Sequence, residues 1–307
     1  MEYPLTQMEF EQMFSNEQLC MEYLIGLRWR EGYVCMECGN HQYWLLSRRR
    51  ISCRKCKSQM SITQGTIFEQ SNKPLSLWYR TIWLMVSQKS GVSAVSVQNI
   101  MGFGSYQTAW TWLHKLRKLT VSPDRERLKG KVEIDETLLG GYKEGKRGRG
   151  AEGKNLIAIA VEIFEKGTGR VRLNIIPNAK RSSLKRFIEN NIEAGSEIIT
   201  DGWKSYLGIE GYTHTVVEKE SSHGEENLLP NAHRVASLLK RWLLGTHQNY
   251  ITGNKTQNYL DEFVFRYNRR KSASRGLLFQ RVMEQAVNHK PIKYSEIINK
   301  NQISGKN

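Results

Sequence analysis

Two C-x2-C pairs constrain this chain more than any other feature. Cys35 and Cys38 form one pair, Cys53 and Cys56 the other, with 14 residues between them. Each pair makes a tight knuckle that aims two thiolates at one point. Four thiolates complete a tetrahedral site with no open position, so the expected ion is structural Zn2+ held by Cys35, Cys38, Cys53 and Cys56. The insert contains HQYWLLSRRRIS, long enough for a β-hairpin. So small a module buries too little surface to fold unaided, and metal binding supplies about 10–16 kcal/mol in zinc-finger peptides. The fifth cysteine, Cys20, lies in a helical pattern and reads as a core thiol. Disulfides are the other use of paired cysteines. The acidic N-terminus, MEYPLTQMEFEQMF, lacks an apolar signal segment, so metal is expected, and a cytoplasmic protein with it.

Charge narrows the partner. Lys and Arg number 46 against 30 Asp and Glu, a net +16, on a chain that is 39% hydrophobic. That apolar fraction supports packed cores and excludes a fully disordered chain. The basic excess suits a polyanion, nucleic acid first and anionic lipid second. No apolar run reaches the ~20 residues a bilayer span needs; Leu75 to Val86 is interrupted by Arg80. Arg48, Arg49, Arg50, Arg54, Lys55 and Lys57 crowd the cysteine module beside Tyr43 and Trp44. A basic ribbon with aromatics suits phosphate contact, and a solvated basic surface is the alternative.

The periodicity divides the chain. Residues 1–30 read as N-terminal helices, 31–70 as a zinc ribbon, 71–122 as a helix-turn-helix-like region, 123–285 as a mixed α/β domain and 286–307 as a basic tail. SAVSVQNIM and SYQTAWTWLHKLRKL are joined by Gly102-Phe103-Gly104, a short glycine turn that suits a DNA-binding helix pair. Ser105, Tyr106, Gln107 and Thr108 would then face bases or phosphates. Trp110, Leu113 and Leu116 would pack inward, and His114, Lys115, Arg117 and Lys118 would face solvent or DNA. A plain helical bundle is the alternative.

From Lys131 the period turns to strands. KVEIDETLL, NLIAIAVEIF, RVRLNIIP, SEIITD and HTVVEK read as strands, and RSSLKRFIENNI, ASLLKRWLLG and TQNYLDEFVFRYNRR as helices. Asp135 lies inside an apolar strand and Asp201 at a strand end. Such acids are costly unless paired or bound to a cation. The gap of 65 residues between them holds two strands and a helix, the order an RNase H-like sheet needs to bring both carboxylates together. The alternative makes Asp201 a surface-turn residue and Asp135 a strand-edge charge.

VEIDETLLGG, TDGWKSY, HRVASLLKRWLLGTHQ and YLDEFVFRYNRR together resemble bacterial insertion-sequence transposases of the DDE superfamily, the ISXO2-like group with an N-terminal zinc ribbon. KPLSLWYRTIWLM and SYQTAWTWLHKLRK are similar to that group's pre-catalytic region, and the resemblance spans about residues 10–285. It implies an enzyme that binds element ends in double-stranded DNA, cleaves, and joins 3′-hydroxyls to target DNA by two-metal phosphoryl transfer with Mg2+ or Mn2+. It also implies a dimer on DNA, nucleoid association and no membrane. Where the family most often has a third acid, this chain has His233, with 31 residues between it and Asp201. Lys240 follows seven residues later on the same helical face. The implied triad is Asp135, Asp201 and His233. Asp261, Glu262, Glu225 and Glu226 are rival third ligands, and a bare dyad is another reading. Lys204, Lys240 and Arg241 would hold phosphates. Trp203 or Trp242 would stack on an unpaired base, with core packing the alternative for Trp242. Two other functions fit the same motifs: a zinc-ribbon DNA-binding protein with an inactive catalytic domain, and an RNase H-like nuclease without joining activity.

Overall fold

The computed structural model describes residues 2–140, 154–217, 228–248 and 255–298. In chain order its helices are α1 (Gln7–Met13), α2 (Glu17–Arg28), α3 (Leu75–Ser87), α4 (Ala94–Met101), α5 (Tyr106–Lys118), α6 (Arg181–Asn191), α7 (Pro230–His247), α8 (Thr256–Asn268), α9 (Arg275–Asn288) and α10 (Tyr294–Ile298). Its strands are β1 (Tyr43–Leu46), β2 (Arg50–Cys53), β3 (Gln59–Ser61), β4 (Lys131–Leu139), β5 (Asn155–Ile163), β6 (Thr168–Ile176), β7 (Glu197–Asp201) and β8 (Thr213–Val217). Two compact units result: Met1–Ser122 with Ser272–Asn299, and Pro123–Lys271.

In the first unit, helices begin where the sequence offers caps. Thr6, Asn16, Ser93 and Ser105 each accept a backbone N–H of the first turn. α3 follows Pro74, which offers no such oxygen; instead Glu17 of α2 accepts from Leu75 N at 2.8 Å and Ser76 N at 3.2 Å. β1, β2 and β3 form an antiparallel ribbon in that order. The core is aromatic. Phe279 of α9 sits 5.5 Å from both Phe10 and Phe14 and 6.0 Å from Tyr79 and Trp83, ring centre to ring centre. Trp112 of α5 stacks on Trp78 of α3 at 3.6 Å.

Here the architecture departs from the expected boundaries. The segment 272–285, expected with the α/β domain, belongs to the first unit, because α9 carries Leu278, Phe279, Val282, Met283 and Ala286 as one buried stripe facing α2 and α3. Within the expected tail, residues 286–288 finish α9 and 294–298 form α10 against α5; residues 299–307 lie outside the described residues.

The second unit is a five-stranded mixed sheet ordered β6-β5-β4-β7-β8. β6, β5 and β4 pair antiparallel, while β7 and β8 run parallel to β4. One sheet face, with Ile157, Ile159, Val161 and Leu173, packs on Val235, Leu239 and Leu243 of α7 and on Leu260 and Phe263 of α8. The other face, with Val132, Ile134, Ala158 and Ala160, packs on Leu184, Phe187 and Ile188 of α6. The β6 edge is covered by side chains of α8. Asn268 Oδ1 accepts from Val171 N at 2.7 Å, and Gln257 Oε1 accepts from Ile175 N at 3.0 Å while its amide donates to Leu173 O. Groups that an edge strand would leave open are thereby paired.

Phe279→Ala should destabilise the first unit by about 3–5 kcal/mol, the usual cost of emptying a buried aromatic site. Denaturant melts followed by tryptophan fluorescence would show it, since Trp83 packs on this ring.

Candidate functional site

The four cysteines converge. Cys35 Sγ lies 3.6 Å from Cys56 Sγ, and Cys38 Sγ lies 3.6 Å from Cys53 Sγ. All four sulfurs fall within 4.8 Å of one another. Zinc–sulfur bonds of ~2.3 Å in a tetrahedron set sulfurs about 3.8 Å apart, so the cage fits that ion. The knuckles repeat the same local geometry. Gly39 N bonds Cys35 O and Lys57 N bonds Cys53 O, with Gly39 at φ 68° and Lys57 at φ 61°. Backbone N–H groups of Glu37 and Cys38 lower the Cys35 thiol below its ordinary value, against the effect of burial, which favours the thiolate that binds metal. Cys20 is buried on α2 and takes no part; burial pushes its thiol up to about 12.

The basic residues of the ribbon do not act as one surface. Arg48, Arg50, Arg54, Lys55 and Lys57 are exposed. Lys57 lies 3.9 Å and Arg54 5.8 Å from the ring centre of half-exposed Trp44. Arg49 differs: it turns inward, donates to Ser71 O at 2.8 Å and approaches Glu17 at 4.0 Å. Its expected phosphate contact is replaced by an internal anchor, because the hairpin turn at Arg48 and Arg49, both at positive φ, directs the second side chain back onto the unit.

On α5 the expected faces are also revised. Ser105 caps the helix through Gln107 N. Tyr106 and Gln107 are exposed and Thr108 is half-buried. Leu113 and Leu116 are buried as expected, but Trp112 rather than Trp110 is the buried tryptophan. His114 and Arg117, expected outside, are 0% and 1% exposed. Lys115 is half-buried, and burial lowers its amine below the ordinary lysine value. The cause is tertiary: α10 packs against α5, enclosing a face that an isolated helix would leave wet.

In the second unit, three expected site residues come from three neighbouring elements. β4 and β7 pair Glu133 with Ile199, so two residues further along the parallel register Asp135 stands beside Asp201. Strand spacing of ~4.8 Å makes them neighbours. His233 Nε2 lies 3.2 Å from Asp135 Oδ2, the histidine side chain 50% exposed and the aspartate 14%. Burial raises the Asp135 carboxyl above the ordinary value, opposed by Glu136 N and His233 and reinforced by the charges of Glu136 and Asp201. Asp201 Oδ1 accepts from Trp203 N at 3.2 Å. The cysteine quartet is, among the described residues, the one group of three or more metal-binding side chains with all ligand atoms within 4.8 Å.

Glu133 was not anticipated, and it sets this geometry. α7 begins at Pro230 after Leu229, which cannot cap it. Glu133 reaches from β4 and accepts from Asn231 N at 2.9 Å, Ala232 N at 2.8 Å and Asn231 Nδ2 at 2.7 Å. A carboxylate at a helix N-terminus satisfies orphan N–H groups and suits the helix dipole. The alternation in VEIDE, which puts Glu133 and Asp135 on one face, was the available signal. On the opposite face Glu136 accepts from Tyr206 OH at 2.7 Å.

The rivals sit elsewhere. Glu262 is buried and ion-paired with Arg266 at 2.9 Å on α8, which packs along β6, two strands from β4. Asp261 accepts from Gln257, and burial raises its carboxyl to about 6. Glu225 and Glu226 lie outside the described residues. Lys204, Lys240 and Arg241 are exposed, Lys204 just after Asp201 and the others on α7. Trp203 is part-exposed with its indole N–H bonded to Ala179 O; Trp242 packs on the α7–α8 core.

A four-thiolate ribbon and a mixed sheet bearing neighbouring acids thus lie on one chain. Residues 15–59 match the transposase zinc-ribbon domain. Residues 127–268 match the ISXO2-like transposase domain. The uncharacterized protein in transposable element ISH50 of Halobacterium salinarum is similar over 280 residues at 22% identity, covering 82% of this chain and 91% of that protein. No helix among the described residues is long and apolar enough to cross a membrane.

Elemental analysis of protein purified without chelator should find one zinc per chain. Cys53→Ser should lose it and melt the ribbon while the second unit stays folded. Glu133→Ala should cost about 2–4 kcal/mol, since charge-assisted hydrogen bonds contribute about 1.5–3 kcal/mol each and are partly replaced by water; hydrogen exchange at the first turn of α7 should rise most.

Proposed function

We propose that this protein is a transposase that binds the ends of an insertion sequence, cuts DNA there and joins the freed 3′-hydroxyl to target DNA. The observation that carries the reading is the 3.2 Å approach of His233 Nε2 to Asp135 Oδ2 beside Asp201. Octahedral Mg2+ with bonds of ~2.0–2.1 Å separates adjacent ligand atoms by about 3 Å, so this pair suits one edge of such a site. Burial and the negative charges around Asp135 also favour a cation there. The strand order and directions of the sheet support an RNase H-like fold.

Asp135, Asp201 and His233 would hold the divalent cations. Bound Mg2+ or Mn2+ would supply Lewis-acid polarisation of the scissile phosphate and a nucleophile available at neutral pH. His233 must be unprotonated to ligate, and its half-exposed ring leaves the site open to a DNA strand. Lys240, seven residues along α7, stands about 10 Å away on the same face, placed to hold a flanking phosphate together with Arg241; Lys204 does so beside Asp201. In cleavage, water attacks the phosphorus and the 3′-oxygen leaves as a hydroxyl. In joining, that hydroxyl attacks a target phosphodiester, and the target's own 3′-oxygen leaves.

The first unit would supply recognition. Exposed Arg48, Arg50, Arg54, Lys55 and Lys57 around Trp44 suit backbone phosphates. α4, the glycine turn and α5 act as a helix-turn-helix, with Tyr106 and Gln107 at the exposed start of α5 reading bases. The protein acts as a dimer on double-stranded DNA in the cytoplasm.

The test is a cleavage and strand-transfer assay on oligonucleotides carrying the element ends. His233→Ala should abolish both steps with DNA binding retained, and His233→Glu should recover part of the activity with Mg2+. Wild-type activity with Mn2+ should exceed that with Mg2+, since imidazole suits the softer ion. Normal cleavage by His233→Ala, with loss in Glu262→Ala, would move the third ligand to α8. Cleavage without joining would make the enzyme a nuclease.

A further inference from the structure

Backbone pairing alone does not fix the approach of the two acids. The parallel ladder of β4 and β7 joins Lys131–Glu133 to Glu197–Ile199 and ends two residues short of Asp135 and Asp201. Twisted strands diverge once their ladder stops, so the separation of the two carboxylates is set by whatever ties the strand ends together. A series of hydrogen bonds does so. Directly after β7 the chain makes one 3-10 turn, Lys204–Tyr206. Trp203 N, at the start of that turn, donates to Asp201 Oδ1 at 3.2 Å. Tyr206 N closes the turn on Trp203 O at 3.0 Å. The Tyr206 hydroxyl then donates to Glu136 Oε1 at 2.7 Å, and Glu136 N donates to Asp135 Oδ1 at 2.7 Å. Asp201 and Asp135 are the two ends of this series.

The anchor in the middle is rigid. Tyr206 is 1% exposed and belongs to the apolar cluster that holds Ile134 of β4, Ile198 of β7 and Leu184 of α6. Burial and the Glu136 charge push its phenol well above the ordinary value, so it keeps the proton that it donates. At the other end, the bond from Glu136 N engages Asp135 Oδ1 and leaves Oδ2 as the oxygen that stands 3.2 Å from His233 Nε2. Tyr206 comes to β4 from the face opposite Asp135, so its hydroxyl acts on a bound ion only through Glu136 and the strand end. Carboxylates that ligate a metal are themselves oriented by such hydrogen bonds, and loss of one typically costs 10–100-fold in metal affinity.

We propose that Tyr206 and Glu136 are positioning residues for the divalent cation: their hydrogen bond ties the end of β4 to the turn after β7 and holds Asp135 and Asp201 at the spacing one ion requires. The proposal rests on the reading of Asp135, Asp201 and His233 as cation ligands. It separates two duties within VEIDE. Glu133 seats α7 and with it His233, whereas Glu136, on the other face, aligns the second acid with the first.

The experiment titrates Mn2+ into the full-length, zinc-loaded protein and follows the free ion by electron paramagnetic resonance, with Asp135→Ala marking the binding that belongs to this site. Circular dichroism confirms that each variant is folded at the working temperature. Tyr206→Phe removes one buried oxygen and keeps the ring; it should weaken Mn2+ binding about tenfold. Glu136→Ala breaks the same bond from the other side and provides the test if Tyr206→Phe does not fold. In the Glu136→Ala background, Tyr206→Phe should cost nothing further, since the hydroxyl has already lost this acceptor. Mn2+ affinity within about twofold of wild type in folded Tyr206→Phe, or losses that simply add in the double variant, would overturn the assignment, whatever the change in melting temperature. Wild-type protein with no Mn2+ binding that Asp135→Ala removes would overturn it together with the ligand reading. The expected pattern of Mn2+ affinities in a protein that neither cuts nor joins DNA would defeat the transposase chemistry and leave the positioning role standing.

Discussion

The acidic site depends on one carboxylate that does no chemistry of its own. Glu133 clamps the first turn of α7 to β4 through three hydrogen bonds. Asp135 lies two residues further along that strand, and His233 one residue beyond the clamped Ala232. Both site residues are thus referred to a single fixed point, and their 3.2 Å approach follows. Pro230 removes one N–H from the helix start, and Glu133 meets the next two. Without the clamp, α7 would remain seated on the sheet by Val235, Leu239 and Leu243, yet its N-terminal turn would lose its register.

The first unit relies on the same economy. A ribbon of three short strands has almost no core, so thiolates hold one end and ionic side chains the other. Arg28 donates to Ile62 O at 2.7 Å and Arg49 to Ser71 O at 2.8 Å, tying both sides of the ribbon's exit to the helices. Glu17 closes the set by capping α3 and approaching Arg49. Charges sent inward in this way are unavailable to DNA, while their neighbours Arg48 and Arg50, on the outside of the same turn, are free of that duty. A basic cluster in sequence therefore divides into anchor and surface once the hairpin is formed.

Local chemistry made much of the architecture legible. The knuckle spacing foretold four converging sulfurs, and the 14-residue insert holds the β1–β2 hairpin. Strand periodicity located β4 through β8, and the glycine turn separated α4 from α5. What escaped were positions whose environment is built by distant chain. His114 and Arg117 look like a solvent face until α10 covers α5. α9 looks like a continuation of the α/β domain until Phe279 meets Phe10 and Phe14. Glu136 acquires its partner, the Tyr206 hydroxyl, from 70 residues further along the chain.

By itself the sequence determined which groups could bind metal and which elements would carry them, because knuckles, strand alternation and helical stripes are short-range properties of the chain. It also determined the basic field, which needs only composition. Tertiary structure alone decided which of the candidate acids stand together. Asp135 and Asp201 become neighbours through the parallel pairing of β4 with β7, a contact across 65 residues. His233 joins Asp135, and Glu262 instead pairs with Arg266, because α7 is pinned to β4 by Glu133 while α8 runs along β6. Register between distant strands and the seating of a helix on a sheet are set by packing and buried hydrogen bonds over the whole unit, and no local window of sequence contains them.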